Sequence, residues 1–203
     1  MKIICIGRNY AKHIEELKNE RPDAPVIFLK PDSAVLLKQH PFVIPEFSEE
    51  IHHEVELIVK INKVGKYIDA KFAHKYYDEI SVGIDFTARD LQAKLKEKGL
   101  PWEIAKGFDG SAVIGEFLNK NQFSSLENLT FELTNNQNTV QKGNTSAMLW
   151  KIDEIISYVS QFFTLKIGDI IFTGTPEGVA VVQPDDVLEG FLEGQKLFRI
   201  QVK

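Results

Sequence analysis

The sequence predicts a β-rich mixed α/β fold, with a mainly antiparallel or mixed sheet structure and a few covering helices. Segments with a strand pattern outnumber those with a helical pattern, and the two do not alternate regularly as they do in repeated βαβ units. Hydrophobic residues make up 43% of the 203 residues, which is enough to bury a substantial core. The length suits a single domain.

The strand predictions rest on short apolar or alternating runs that are bounded by turn residues. These runs are 1–7, 26–31, the second half of 51–61, 81–87, the end of 100–117, 129–134, the start of 168–179 and 196–202. Pro31 ends the second run, because proline cannot donate a hydrogen bond to a neighbouring strand. Two prolines limit 34–45 to short edge strands at best.

The helix predictions rest on apolar residues at helical spacing and on flanking stop or cap residues. The predicted helices are 10–18, 68–80, 88–99 and 152–163. Asn9 is a candidate cap for the first helix, and Gly99 is a stop signal for the third. Between these elements lie a turn-rich loop at 19–25 and a segment rich in Asn and Gln at 118–144.

Composition and charge narrow the class of function. The formal net charge is −5, and no basic cluster with interleaved aromatic residues occurs, which argues against nucleic-acid or membrane-surface binding. No apolar run approaches the ~20 residues of a membrane span. The single cysteine, Cys5, excludes an internal disulfide and fits a reducing compartment. We therefore expect a cytoplasmic protein.

Two glutamates one residue apart, Glu54 and Glu56, begin an otherwise apolar segment. On a strand they share one face, while the alternating apolar residues from Val55 onwards form the other. Carboxylates this close repel each other unless a cation or hydrogen bonds compensate. The pair is therefore either a solvated strand face or part of a site for Mg²⁺ or Mn²⁺, which prefer hard oxygen ligands.

Asp85 is the candidate for a third carboxylate ligand. It comes near the end of an apolar strand, which is an unfavourable place for an unpaired charge. If a helix starts just after it, Arg89 and Gln92 are three residues apart and share one helix face. These residues could provide a metal ligand, a cation for a carboxylate and an amide donor. Alternatively, Asp85 is a helix cap and Arg89 a surface charge.

Two glycine-containing segments offer groups for an anion. Lys106 lies in "PWEIAKGFDGSA", where it could hold an anionic group close to a metal, or could be a solvated loop lysine. "TGTPEGV" follows a strand and includes Thr175. Such a turn can present hydroxyl and backbone N–H groups to an oxyanion, or can be a plain β-turn. It lacks the lysine and the spacing of a phosphate-binding P-loop.

His13 and Glu16 are a candidate for general base catalysis. They are three residues apart on a predicted helix and therefore share a face. A carboxylate beside an imidazole orients the ring and favours its charged form, an arrangement that can deprotonate water. The alternative is an ordinary pair on the surface of an amphipathic helix.

Taken together, six segments resemble the fumarylacetoacetate hydrolase family, and most closely its small, single-domain acylpyruvate hydrolase branch. In chain order they are "GRNYAKHIEE", "FLKP", "HHEVELIVKI", "GIDFTARDLQ", "KGLPWEIAKGFDGSA" and "GDIIFTGTPEGV". The resemblance implies a rolled mixed sheet that forms an open barrel-like cavity, in one catalytic domain over 1–203. It also implies a homodimer and a mobile lid at about residues 9–25.

The resemblance also assigns roles to the candidate residues. It implies that Mg²⁺ or Mn²⁺ is held by Glu54, Glu56 and Asp85. His13 and Glu16 would be a catalytic dyad on the lid, ordered when substrate binds. The substrate pocket would be lined by Lys106, Arg89, Gln92 and Thr175. Lys106 would also act in catalysis.

The activity that this site implies is hydrolysis of the C–C bond of acylpyruvates or related 2,4-diketo acids to pyruvate and a carboxylic acid. The metal and Lys106 would stabilise the pyruvate enolate that leaves, and His13 would activate water. Three alternatives use the same site: decarboxylation of oxaloacetate, its keto–enol tautomerisation, and isomerisation of an unsaturated diacid from aromatic breakdown. A non-catalytic binding protein would leave the dyad and the lysine without a role.

Overall fold

The structure is a computed structural model that describes residues 1–17 and 20–203. Its strands are β1 (Ile3–Gly7), β2 (Val26–Lys30), β3 (Ile51–His53), β4 (Val55–Ile61), β5 (Tyr77–Asp85), β6 (Thr87–Ala88), β7 (Ala112–Ile114), β8 (Leu118–Asn119), β9 (Thr130–Asn135), β10 (Asn138–Asn144), β11 (Ile170–Phe172), β12 (Ala180–Val181), β13 (Val187–Leu192) and β14 (Gln195–Gln201). Its α-helices are α1 (Ala11–Glu16), α2 (Ala70–Ala73), α3 (Arg89–Glu97), α4 (Glu103–Lys106) and α5 (Ile152–Phe162).

The largest sheet is strongly curled into a half-barrel, which confirms the predicted fold class. Its strand order is β2-β1-β11-β4-β5-β7, and β8 also pairs with β5. The β1–β11 pair is parallel and the other pairs of this sheet are antiparallel, so the sheet is mixed. A four-stranded sheet, β10-β9-β13-β14, and a three-stranded sheet, β12-β3-β6, complete the β structure.

Strand β4 lies in the middle of the half-barrel and is buried on both faces. Val55, Leu57 and Val59 belong to the main hydrophobic core, as the alternating pattern predicts. Ile58, on the opposite face, belongs to a second apolar cluster with residues of β1 and β11. The face that carries Glu56 is therefore not a solvated surface, and a carboxylate there needs partners.

The predicted helix at 68–80 is wrong. A short helix, α2, covers only four of these residues, and β5 begins at Tyr77. Strand β5 pairs with β4 along nearly its whole length, and Tyr77, Ile80 and Val82 enter the core. Because β4 gives these residues hydrogen-bond partners and buries their apolar side chains, tertiary pairing overrides the local helical spacing.

Several smaller predictions also differ from the structure. Asn9 does not cap α1, because its amide oxygen accepts the Trp150 N–H at 2.8 Å and its amide nitrogen donates to the Thr173 carbonyl at 2.7 Å. The loop prediction after residue 100 misses α4, and residue 18 of the first predicted helix lies outside the described residues. The part of the chain that the structure describes contains no helix long and apolar enough to cross a membrane.

Candidate metal and substrate site

The three predicted carboxylate ligands lie side by side. Glu54 occupies the break between β3 and β4, Glu56 is the second residue of β4, and Asp85 ends β5. Because β4 and β5 are antiparallel neighbours, the backbone N–H of Asp85 donates to the carbonyl of Glu54 at 2.9 Å. One oxygen from each carboxylate can be chosen so that all three lie within 4.8 Å of one another, and all three residues are buried.

This placement excludes the two alternatives that the sequence left open for these residues. Glu54 and Glu56 are only 5% and 2% exposed, so the interpretation as a solvated strand face is wrong. Asp85 is not the cap of α3, because Ala88 occupies the cap position.

Lys106 connects two of the carboxylates. Its Nζ donates to Oε2 of Glu54 at 2.8 Å, to Oδ2 of Asp85 at 2.7 Å and to the Thr87 hydroxyl at 2.6 Å. Burial alone would lower the pKa of Lys106, but the charges of Asp85 and Glu54 outweigh it and raise that pKa. Lys106 is therefore a buried ammonium group, and its interpretation as a solvated loop lysine is wrong.

A second buried lysine, Lys30, supports the same site at the end of β2. Its Nζ lies 2.7 Å from Oδ1 of Asp85 and donates to the carbonyl of Ser111 at 3.1 Å, to its hydroxyl at 3.0 Å and to the Lys106 carbonyl. This lysine lies in the "FLKP" segment, but no role was predicted for it. A charged residue at the end of an otherwise apolar strand was the signal that could have identified it.

Arg89 and Gln92 approach the site from the first turns of α3. The guanidinium of Arg89 donates to Oε1 of Glu54 and, at 2.6 Å, to the amide oxygen of Gln92. Burial would raise the pKa of Glu54, but Lys106 and Arg89 outweigh it and hold that pKa well below its usual range. The carboxyl group of Glu54 is therefore ionised.

Of the three carboxylates, Glu56 has the least positive charge around it. Its Oε2 accepts the backbone N–H of Gly174 at 2.7 Å. Burial raises the pKa of Glu56 well above its usual range, and the charges of Asp85 and Glu54 raise it further. A divalent cation would offset this excess of negative charge, and three carboxylates are the hard oxygen donors that such a cation prefers. The residues present therefore fit a divalent metal.

His13 and Glu16 form the predicted pair on α1. Nδ1 of His13 lies 3.2 Å from Oε2 of Glu16, and Oε1 of Glu16 accepts the Gly178 N–H at 3.0 Å. Because an ionised carboxylate only accepts hydrogen bonds, Nδ1 carries a proton and Nε2 is the acceptor of the neutral ring. His13 is buried, which lowers its pKa even though Glu54 and Glu16 raise it.

The "TGTPEGV" segment forms the loop that follows β11. The hydroxyl of Thr175 accepts a hydrogen bond from the amide of Gln141 at 3.0 Å. The amide oxygen of Gln141 accepts the Val55 N–H at 3.0 Å, so this side chain joins the loop to the start of β4. Sequence reasoning missed Gln141 because it lies in a polar segment with no distinguishing motif.

One pocket unites these groups. Eight of the nine predicted site residues line it. The ninth, Glu16, is hydrogen-bonded to the pocket residue His13. The predicted residues that line it are His13, Glu54, Glu56, Asp85, Arg89, Gln92, Lys106 and Thr175. Further lining residues to which the sequence analysis gave no role include Arg8, Phe28, Lys96 and Trp102.

The fold and the pocket define a β-rich protein with a buried carboxylate–lysine site suited to a divalent metal. The family model "Fumarylacetoacetate (FAA) hydrolase C-terminal" matches residues 2–202. The chain therefore belongs to the fumarylacetoacetate hydrolase family, and the resemblance stated from the sequence is confirmed.

Relatives with named activities cover most of the chain. Oxaloacetate decarboxylase, mitochondrial, of Dictyostelium discoideum is 42% identical over 95% of this chain and 89% of the relative. Oxaloacetate tautomerase YcgM of Escherichia coli is 40% identical over 97% of this chain and 90% of the relative. The crystal structure of fumarylpyruvate hydrolase from Pseudomonas aeruginosa with Mn²⁺ and pyruvate is 34% identical, with a TM-score of 0.93, covering 100% of this chain and 89% of that one.

These relatives refine the expectations from the sequence. An enzyme of this family is supported, and the Mn²⁺ in the solved relative agrees with the choice of a divalent metal for the carboxylate site. The predicted hydrolase reaction is less directly supported than the oxaloacetate reactions that the sequence analysis gave as alternatives.

Proposed function

We propose that this chain is a divalent-metal-dependent enzyme acting on oxaloacetate, and that its principal reaction is tautomerisation between the enol and keto forms. The observation that carries the proposal is the joining, in one pocket, of three buried carboxylates, the buried ammonium of Lys106 and the imidazole of His13. The named activities of two relatives, both on oxaloacetate, support the choice of substrate.

Glu54, Glu56 and Asp85 would hold Mg²⁺ or Mn²⁺. When bound, the metal would act as a Lewis acid toward the C1 carboxylate and the C2 oxygen of the substrate. Lys106 would place its positive charge beside the same oxygen and stabilise the negative charge that develops there in the enolate. Arg89, Gln92 and Thr175 would orient the substrate through donors at the pocket wall.

His13 would move the proton. In the direction from keto to enol, Nε2 accepts a proton from C3, and the electron pair of the C–H bond forms the C2–C3 double bond while the C2 oxygen becomes negative. Return of that proton from Nε2 to the C2 oxygen gives the enol and restores the neutral ring. Glu16 holds the ring by its Nδ1, so that Nε2 is the nitrogen left to act. Decarboxylation needs no such base, which is why the pairing of buried His13 with Glu16 favours tautomerisation over decarboxylation.

Hydrolysis of acylpyruvates is the second candidate. His13 could instead deprotonate a water molecule for attack on the distal carbonyl of a 2,4-diketo acid, and the solved fumarylpyruvate hydrolase supports this possibility. The two reactions share the enolate-stabilising site and differ in what the base acts upon.

A single set of assays distinguishes these reactions. The purified protein is incubated with Mn²⁺ or Mg²⁺ and the enol form of oxaloacetate, and separately with acetylpyruvate, while enol absorbance and pyruvate are followed. We expect rapid loss of oxaloacetate enol without matching pyruvate, and its suppression by EDTA. Pyruvate formed in step with enol loss would instead assign a decarboxylase, and equimolar acetate and pyruvate from acetylpyruvate would assign a hydrolase.

The His13→Gln variant tests the role of the base. We expect tautomerisation to fall by about 10²–10⁴-fold, the usual contribution of a positioned general base. Metal binding, measured by calorimetry, stays at the wild-type level because the three carboxylates are intact. Lys12→Gln, on the exposed side of the same helix, is the matched control. An unchanged tautomerisation rate in His13→Gln would remove His13 from the mechanism.

A further inference from the structure

A row of polar side chains runs along one face of α3 from the metal end of the pocket toward its outer part. Arg89, Gln92 and Lys96 are spaced by three and then four residues, which places them on one face of the helix. All three line the pocket. Lys96 lies seven residues beyond Arg89, which corresponds to about 10 Å along the helix axis. Lys96 therefore reaches the pocket about two helical turns away from Arg89.

Arg8 enters the same pocket from another element. It follows β1 and has a backbone φ of 60°, which is the left-handed region that residues with a side chain rarely adopt. Strained backbone of this kind persists where the surrounding structure enforces it, often at ligand sites. Nη1 of Arg8 donates to the carbonyl of Glu20 at 3.4 Å, which is a long hydrogen bond at an exposed position.

The positive charges in this part of the pocket act on one another. Partial burial, and next the charges of Arg8 and Arg89, lower the pKa of Lys96, whereas Glu54 raises it. Arg89 is already engaged with Glu54 and Gln92, although its Nε is buried without an acceptor among the described residues. An anion bound between Arg8 and Lys96 would relieve the repulsion that their proximity creates.

We propose that Arg8 and Lys96 form a clamp for a second carboxylate of the substrate, remote from its metal-binding end. Phe28 and Trp102, whose ring centroids are 5.9 Å apart, line the same pocket and give it an apolar wall. A short carbon chain with an anionic group at each end matches this arrangement. The clamp rests on the proposed function, and it makes Arg8 and Lys96 determinants of specificity for dicarboxylates over monocarboxylates.

Malate and lactate test the clamp without any turnover. Both are 2-hydroxy acids that present the same metal-binding end, but malate ends in a carboxylate and lactate in a methyl group. Their binding in the presence of Mn²⁺ is measured by calorimetry for the wild type, Arg8→Gln, Lys96→Gln and Lys94→Gln. Lys94 is on the same helix but exposed, and it does not line the pocket, which makes it the matched control.

We expect the wild type to bind malate at least tenfold more tightly than lactate. Arg8→Gln and Lys96→Gln should each weaken malate binding by about tenfold, the value of one hydrogen bond to a charged group, while lactate binding stays constant. Lys94→Gln should change neither. Equal losses for malate and lactate, or no loss for either, would overturn the clamp.

The outcome is separable from that of the proposed function. If the malate preference disappears in the two variants but the wild type does not turn over oxaloacetate, the clamp stands and the reaction assignment fails. If oxaloacetate is turned over but malate and lactate bind equally well to the wild type, the reaction stands and the clamp fails.

Discussion

At the residue scale, the pKa of His13 is lowered although two carboxylates, Glu54 and Glu16, act to raise it. Burial disfavours the charged ring of His13 more than Glu54 and Glu16 favour it, so its pKa is lowered from 6.5. A neutral ring can accept a proton at physiological pH, which a general base must do. The burial of the His13 side chain thus sets the chemistry of the pair as much as the neighbouring charges do.

The Glu16→Gln variant separates these two effects. Glu16 raises the pKa of His13, so removing its charge should lower that pKa further, and the acid limb of the kcat/KM profile should move to lower pH. Above that limb, we expect the rate to fall by about tenfold, because a hydrogen bond to a charged group no longer holds the ring. Enol-loss rates recorded from pH 4.5 to 8.5 give both values.

Glu15→Gln is the control for this measurement, because Glu15 is exposed and adjacent in sequence. It should leave both the acid limb and the plateau rate at their wild-type values. An acid limb that moves to higher pH in Glu16→Gln would contradict the assignment of that limb to His13.

The sequence singles out the three carboxylates and their partners Arg89 and Lys106, but it does not single out Lys30 and Gln141. Glu54, Glu56 and Asp85 are conspicuous because carboxylates beside apolar strands are unfavourable without a partner. Lys30 and Gln141 reach the site from segments far away in sequence, and only the fold brings them there. Sequence patterns therefore predict which charges need a partner more readily than they predict the partner.

At the scale of elements, local periodicity predicted the helices α3 and α5 but failed where a strand had a stronger partner. The predicted helix at 68–80 overlaps the start of β5, whose pairing with β4 carries Asp85 to Glu54. The missed strand β13 also pairs on both sides, with β9 and β14. A short stretch of sequence gives little indication of long-range strand pairing of this kind.

The loop after β11 supplies the backbone N–H of Gly174 as a hydrogen-bond donor to the site. Both its backbone conformation and its close neighbours favour glycine at this position. Gly174 has φ of 105°, and a Cβ there would lie 2.7 Å from Cβ of Asn9. Its N–H donates to Glu56. We expect Gly174→Ala to lower the free energy of unfolding by about 1–3 kcal/mol, from backbone strain and the displaced neighbour, and to weaken metal binding.

Gly168→Ala is the matched comparison for this prediction. Gly168 also has a positive φ, of 86°, but a Cβ there would meet nothing within 4 Å. Urea denaturation of both variants separates the contribution of strain from that of the steric contact. Equal destabilisation of the two variants, with unchanged Mn²⁺ affinity, would show that the contact with Asn9 is unimportant.

At the scale of the whole molecule, the carboxylate site joins elements that are distant along the chain. Lys30 comes from β2, the carboxylates from β4 and β5 with the break before β4, Lys106 from α4, and the N–H of Gly174 from the loop after β11. A cation bound to the carboxylates would therefore stabilise the half-barrel as a unit. Because it binds only the folded arrangement, its effect on stability follows mass action.

Thermal unfolding with and without Mn²⁺ tests this linkage and the competition between Lys106 and the metal. At a Mn²⁺ concentration about 100 times Kd, binding stabilises the wild type by about 2.7 kcal/mol, or about 5–10 °C in Tm for a chain of this length.

In Lys106→Met, Glu54 and Asp85 lose a buried cation, so we expect a lower Tm without metal and a larger rise in Tm when metal is added. Glu56→Gln, which lacks one ligand, should show little rise. An equal rise in the wild type and Lys106→Met would contradict the idea that lysine and metal compete for the same carboxylates.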